Sequence, residues 1–241
     1  MKNAFITGGS RGLGLKIVHK FLSEGWRVFT ISRSKTNEIL ELKNNYASHF
    51  HHKCFDLSYT EGLKQEVFDS FVSNEIPIHA VIHNAAIAYD DIVTNAKLDV
   101  LEKMYKVNVF SPIMINRHLI RNMLYNQVKG SFVSVSSISS STGYKGLSMY
   151  ASTKGALEAH SKNLAREWGP KGIRFNCIVP GFMETDMSES LSEEQKHKIY
   201  KRTCLGKETS MESVSDTAFF LCSNESLTIT GQNFYVDSGT I

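Results

Sequence analysis

Tyr150 and Lys154 stand four residues apart in the segment Tyr-Ala-Ser-Thr-Lys. In a helix that spacing puts both side chains on one face. A phenol titrates near pH 10 and is a poor acid or base at neutral pH. An ammonium beside it favours the phenolate and lowers that pKa, so the pair suits proton transfer near neutrality. Taken alone, the pair occurs in many helices and names no reaction. A second segment, Thr7-Gly8-Gly9-Ser10-Arg11-Gly12-Leu13-Gly14, lies between an apolar run and a helical pattern. Glycines there permit a tight turn and let backbone N–H groups approach a pyrophosphate, and a helix N-terminus adds its dipole. The spacing G-x-x-x-G-x-G departs from G-x-G-x-x-G, so the strand–loop–helix setting carries the dinucleotide reading. Gly8, Ser10, Arg11, Gly12, Leu13 and Gly14 are its candidate contacts.

The end of the second strand pattern indicates which dinucleotide. An NAD site places a carboxylate there for the ribose 2′-hydroxyl. This chain has Ser32-Arg33-Ser34 and no acid, with Arg11 as a second cation. Two guanidiniums and a hydroxyl suit a 2′-phosphate. The expectation is NADP(H) in preference to NAD(H).

These side chains need a scaffold, and the chain alternates short apolar runs with longer amphipathic ones. Strands are expected at Asn3–Thr7, Arg27–Ile31, His52–Phe55, Ala80–His83, Ser131–Val135, Ile173–Val179 and Asn233–Val236. Helices are expected at Leu13–Glu24, Thr60–Val72, Leu101–Leu124, Met149–Trp168 and Val214–Leu221, the first stopped by Gly25. Such alternation implies βαβ units, a doubly wound parallel sheet between two helical layers, and a single domain over residues 1–241. The charged stretch 181–207 reads as a substrate flap.

Composition narrows the function classes. With 27 basic and 24 acidic residues among 241, the net charge is +3 and dispersed, which does not describe a nucleic-acid surface. No run of about eighteen apolar residues exists, and the N-terminus enters a strand pattern directly, so neither a membrane span nor a signal peptide is expected. Cys54, Cys177, Cys204 and Cys222 form no CxxC pair, which fits reduced thiols in a cytoplasmic setting. Cys54 and Cys177 read as small core residues. His49, His51 and His52 have no acidic or thiol partner at ligand spacing, and no metal is expected.

Together the pieces resemble the short-chain dehydrogenase/reductase family. The resemblance runs through TGGSRGLG at 7–14, Asn84-Ala85-Ala86, Asn108, Ser137, YASTK at 150–154, Pro180-Gly181 and the C-terminal GQNFYVDSG, and so covers nearly the whole chain. It implies a Rossmann-like fold with Tyr150 as proton donor. Lys154 lowers the phenol's pKa and binds the nicotinamide ribose, Ser137 bonds the substrate oxygen, and Asn108 holds a water linking Lys154 to solvent. Ser137 stands thirteen before Tyr150, the family spacing, and its neighbour Ser136 reads as a strand-end residue facing the other way. The resemblance further implies cofactor contacts at Asp56, Leu57, Asn84, Ala85, Ala86, Pro180, Gly181, Met183 and Thr185, and a homotetramer or homodimer. Two positions depart from the family pattern Asn-Asn-Ala-Gly: His83 and Ala86.

Within the family the motifs are most similar to 3-oxoacyl-[acyl-carrier-protein] reductases, which use NADPH on a carrier-bound thioester in fatty acid biosynthesis. Of the two positions matching that group's docking arginines, one holds Val128 and the other Lys171, with Lys129 beside the first. The segment Ala88–Asp99 lacks close likeness. A reductase or dehydrogenase of a sugar-derived or other small ketone or alcohol is the alternative. A non-catalytic cofactor-binding regulator is a third, against which the intact Asn108, Ser137, Tyr150 and Lys154 argue.

Overall fold

Successive strand residues face opposite sides, so a strand buried on both faces is apolar at nearly every position. The first strand, β1 (Asn3–Thr7), is buried throughout, as are the later strands at Ser131–Val135 and Arg174–Pro180. The structure, a computed structural model, describes residues 1–185 and 192–240. After β1 come α1 (Gly12–Ser23), β2 (Arg27–Ser32), α2 (Asn37–Asn45) and β3 (Phe50–Cys54). A 3₁₀ turn (Thr60–Gly62) and a π-helical stretch (Leu63–Asp69) lead to β4 (Ala80–His83). Then follow α3 (Leu98–Tyr105), a π turn (Lys106–Phe110), α4 (Ser111–Tyr125), β5 (Ser131–Val135), α5 (Ser139–Thr142) and α6 (Ser148–Trp168). The chain closes with β6 (Arg174–Pro180), α7 (Glu193–Tyr200), α8 (Met211–Cys222) and β7 (Asn233–Val236).

All seven strands form one parallel sheet in the order β3-β2-β1-β4-β5-β6-β7. From β1 the chain winds outward to β3, then returns to β4 on the other side of β1. That reversal opens a crevice beyond the carboxyl ends of β1 and β4, where such sheets bind ligands. One apolar layer packs Ala4, Ile6, Val28, Ile82 and Val133 against Ile17 and Phe21 of α1 and Leu221 of α8. The opposite layer packs Phe5, Phe29, Val81, Phe132 and Phe175 against Leu119 of α4 and Leu164 of α6. This is the expected α/β architecture.

Several expectations need correction. The helix expected over Leu101–Leu124 is two helices separated by the π turn. Pro112 has no N–H to return to the Asn108 carbonyl, so a regular α ladder cannot pass that point. The single helix expected over Thr60–Val72 is instead 3₁₀ followed by π, and α2 and α5 were not anticipated. The third strand begins at Phe50 and ends at Cys54, whose thiol is exposed at a sheet edge, whereas Cys177 is buried. Of the stretch 181–207, residues 186–191 lie outside the described residues.

Candidate functional site

The carboxyl end of β1 turns into the glycine loop through Gly8 at φ +74, the left-handed region that favours glycine. A Cβ on Gly14 would stand 2.0 Å from the Gly8 carbonyl oxygen and 2.4 Å from Asn84 Nδ2. Helix, loop and β4 therefore meet at backbone distance. The Asn84 and Ala85 N–H groups both donate to Thr7 Oγ1 at 3.1 Å, and Asn84 Nδ2 donates to the Thr7 and Gly8 carbonyls at 3.2 Å. No side chain caps the N-terminus of α1 and its first turn has no acid, so its dipole faces the loop with its positive end unopposed.

This loop forms one end of a cleft of about 1260 Å³. Its wall includes every cofactor contact anticipated from sequence: Gly8, Ser10, Arg11, Gly12, Leu13, Gly14, Ser32, Arg33, Asp56, Leu57, Asn84, Ala85, Ala86, Pro180, Gly181, Met183 and Thr185, with Ser137, Tyr150 and Lys154. The residues fit a phosphorylated dinucleotide: a glycine cradle that a Cβ would fill, an uncapped helix N-terminus, and Arg11 and Arg33 on the same wall. Burial alone would raise the Asp56 carboxyl, but the Ser58 N–H, donating at 2.8 Å, and the Arg33 charge hold it below its ordinary value. The Ser32 hydroxyl turns inward to His52 and to the Ser34 carbonyl.

At the other end, α6 brings Tyr150 and Lys154 onto one face. Lys154 Nζ lies 5.5 Å from the Tyr150 ring centroid and donates to the Val135 carbonyl at 2.8 Å. Burial pushes the Lys154 ammonium down to about 8. Tyr150 moves the other way: burial, and then the charge of Asp90, push its phenol above the ordinary value. In this structure desolvation and Asp90 set the direction, and the lowering expected from the ammonium is not seen. Ser137 opens the turn into α5, its hydroxyl oxygen accepting from the Ser139 N–H at 3.2 Å. Ser136 also lines the cleft, beside Ser137, and its hydroxyl donates to Glu158. Glu158 also accepts from Ser140 Oγ at 2.7 Å and Asn233 Nδ2 at 2.8 Å. One carboxylate on α6 thus braces both sides of Ser137.

Asn108 stands apart. Its side chain is buried and off the cleft wall, with Oδ1 accepting from the Ile87 N–H and Nδ2 donating to the Ile87 carbonyl, each at 2.9 Å. A further bond to Thr153 Oγ1 at 3.1 Å ties the loop after β4 to α6. π turns of this kind often occur at functional sites, and this one aims Asn108 at α6. The other end of the cleft is lined by Asp90, Tyr144, Lys145, Phe182, Ile199 and Arg202. Asp90 falls in the segment 88–99 and Phe182, Ile199 and Arg202 in the stretch 181–207 noted from sequence, but none was singled out, and Tyr144 and Lys145 were missed altogether. Asp90 sits in an irregular loop with no periodic pattern to reveal it, and burial raises its carboxyl pKa. Among the described residues, no three His, Cys, Asp or Glu side chains are placed to hold a metal.

A family profile described as Enoyl-(Acyl carrier protein) reductase matches residues 8–240. The chain is 32% identical over 241 residues to the 3-oxoacyl-[acyl-carrier-protein] reductase FabG of Aquifex aeolicus, covering 99% of this chain and 96% of that protein. It is 30% identical over 248 residues to the L-rhamnose 1-dehydrogenase (NADP(+)) of Thermoplasma acidophilum, covering 100% and 96%. In fold it is similar to a blue fluorescent protein from a metagenomic library solved with NADPH, at TM-score 0.89, 24% identity and coverage of 99% and 97%.

Proposed function

Because this chain belongs to the short-chain dehydrogenase/reductase family, a family of oxidoreductases, we propose that it is an NADP(H)-dependent enzyme that reduces the carbonyl of a 3-oxoacyl thioester to an alcohol. The observation that carries the chemistry is one cleft wall holding Ser137, Tyr150 and Lys154 together with the glycine loop and Arg33. NADP(H) supplies or accepts the hydride.

The chain's own residues do the rest. Arg11 and Arg33 hold the 2′-phosphate, and the N–H groups from Ser10 to Gly14 receive the pyrophosphate. Asp56, Leu57 and Asn84–Ala86 flank the adenine side. Pro180, Gly181, Met183 and Thr185 flank the nicotinamide side. Ser137 donates its O–H to the carbonyl oxygen as negative charge develops there. Tyr150 gives that oxygen its proton, and Lys154 holds the ribose and meets the charge left on the phenol. A phenol held protonated by burial is an acid for an alkoxide, which supports reduction as the working direction. Asn108 acts by fixing the Ile87 loop to α6. The stretch 181–207 serves as the substrate flap, and Ile199 and Arg202 on the cleft wall support this.

The substrate class rests on similarity to the 3-oxoacyl-[acyl-carrier-protein] reductases. Exposed Phe110, Ile113, Leu124 and Tyr125, on and beside α4, support self-association as a homodimer or homotetramer. The four free cysteines support a reducing, cytoplasmic setting, and among the described residues no helix is long and apolar enough to cross a membrane. A second reading, oxidation or reduction of a sugar-derived ketone or alcohol, is favoured by Asp90 and Asp91 at the substrate end, since carboxylates accept hydrogen bonds from hydroxyls.

The test is NADPH oxidation with acetoacetyl-CoA, run with Tyr150→Phe alongside. Turnover in the parent, with at least a hundredfold loss in the variant (roughly the contribution of acid–base catalysis), supports the reading. Activity on aldoses or their lactones with none on the thioester selects the second reading. Unchanged turnover in Tyr150→Phe overturns the mechanism.

A further inference from the structure

The turn that carries Arg33 is fastened at both ends. The Ser32 carbonyl accepts from the Phe55 N–H at 2.9 Å, and Thr36 Oγ1 donates to the Ser10 carbonyl of the glycine loop at 3.1 Å. Between those anchors a side-chain relay runs inward. Ser32 Oγ donates to the Ser34 carbonyl at 3.0 Å and lies 2.8 Å from His52 Nε2.

The proton positions in this relay follow from its chemistry. A hydroxyl has one proton to give. Since Ser32 gives it to Ser34, Nε2 of His52 must be the N–H that donates to Ser32 Oγ. His52 is neutral at pH 7, because burial, and then the charges of Lys43 and Lys35, hold it down to about 4. A neutral ring has one N–H, and here it is spent on Ser32. Both residues are buried, at 9% and 8% exposure. Buried, end-to-end hydrogen bonds of this kind polarise and strengthen one another. The two residues come from neighbouring strands: Thr30 pairs with His52 in register, and Ser32 follows Thr30 on the same face of β2.

We propose that His52 is a positioning residue for cofactor discrimination: it orients the Ser32 hydroxyl, which fixes the Ser32–Arg33–Ser34 turn and presents Arg33 to the 2′-phosphate. The inference rests on the reading of Arg33 as a 2′-phosphate ligand. His52 does not touch the cofactor. It works through Ser32 and a backbone carbonyl, and it reaches the 2′-phosphate end without bearing on the nicotinamide end.

The experiment is calorimetric titration of the full chain with NADPH and, separately, NADH. The variants are His52→Phe, Ser32→Ala, His52→Gln and Arg33→Ala. His52→Phe keeps an aromatic ring beside a cavity of about 320 Å³ and removes the N–H. His52→Gln restores an N–H at a similar reach. The expected result is a loss of NADPH-over-NADH preference of about threefold to tenfold in His52→Phe and Ser32→Ala, the scale of one neutral hydrogen bond. That loss comes from weaker NADPH binding, and His52→Gln keeps most of the parent preference. Equal weakening of both cofactors assigns the relay to general stability and overturns the proposal. So does an unchanged preference in His52→Phe and Ser32→Ala while Arg33→Ala loses it, an outcome that leaves the Arg33 reading standing. If Arg33→Ala also keeps the preference, the 2′-phosphate reading falls and the relay proposal with it.

Discussion

Lys154 combines a charge with near-complete burial, and that combination has a thermodynamic signature. Its ordinary value is 10.5, and in the fold burial lowers it to about 8. Below pH 8 the folded and unfolded chains both carry the proton, so the folded protein bears the full cost of the buried ammonium. Between 8 and 10.5 the folded chain releases the proton while the unfolded chain keeps it, and stability rises. Cys177 and Cys222 work in the opposite sense: burial raises both from 9.0 to about 12, so stability falls as pH climbs above 9. Comparison with Lys154→Met separates these effects. The variant should be more stable than the parent at pH 7 by roughly 2 kcal/mol, net of the lost bond to Val135, and the gap should close by pH 10. Urea unfolding at pH 7, 8.5 and 10 reads this directly. A gap independent of pH would remove burial of charge as its cause. At this scale spacing placed Tyr150 and Lys154 on one helix face, as the structure has them, while their roles came from the family resemblance. Neither revealed that Ser32 turns inward, because the partner that turns it, His52, lies on another strand.

Between elements, close approach of backbones sets what each position tolerates. Gly14 is in α1 and Gly155 in α6, and both have helical surroundings that would ordinarily favour Ala. A Cβ at Gly14 would collide with the Gly8 carbonyl and Asn84, whereas a Cβ at Gly155 meets nothing within 4 Å. Gly14→Ala should therefore destabilise by at least about 2 kcal/mol and weaken NADPH binding, since it pushes α1 off the loop. Gly155→Ala should stabilise by roughly 0.5–1 kcal/mol. Thermal unfolding with and without NADPH checks both, and a Gly14→Ala protein as stable as the parent would show that α1 can shift without cost. Strands and long helices were legible because their periods are distinct, and errors gathered where one element breaks. The π turn at Lys106–Phe110 continues the apolar stripe of α3 into α4, so periodicity alone joins what Pro112 separates. The short α2 and α5 bury few side chains and leave little pattern: in α2 only Ile39 and Leu42 are buried.

Across the whole molecule the strand order decides where chemistry can happen. Reversal at β1 and β4 places the carboxyl ends of both strands on one crevice, and the loops after β1, β2, β4, β5 and β6 converge there. The family resemblance named distant motifs whose residues line this one cleft, while at its other end the segments 88–99 and 181–207 were marked only as stretches, because irregular loops carry no period that singles out a residue. The same architecture buries His52 and His83 and partly desolvates other histidine rings. Seven histidines, His19, His51, His52, His79, His83, His118 and His160, have pKa values lowered chiefly by loss of hydration. A lowered value means the unfolded chain binds protons first on acidification. Stability is then whole above the ordinary value of 6.5 and is lost as pH falls through the window down to the folded value, about 4 for His52 and His83. His83 is the sharper case, buried with Nε2 bonded to Asn116 Oδ1 at 2.7 Å and with no partner for Nδ1 among the described residues. Carboxylates with lowered values, such as Asp56, add to the loss only at lower pH. The protein should therefore lose stability between pH 7 and pH 5, before its carboxylates titrate. His83→Asn removes one titrating ring and should lessen that loss by about 2 kcal/mol whatever its stability at pH 7. Urea unfolding of both proteins at pH 7 and pH 5 gives the two differences. If they are equal, His83 takes up its proton in the folded protein as readily as in the unfolded chain, and acid sensitivity has another source.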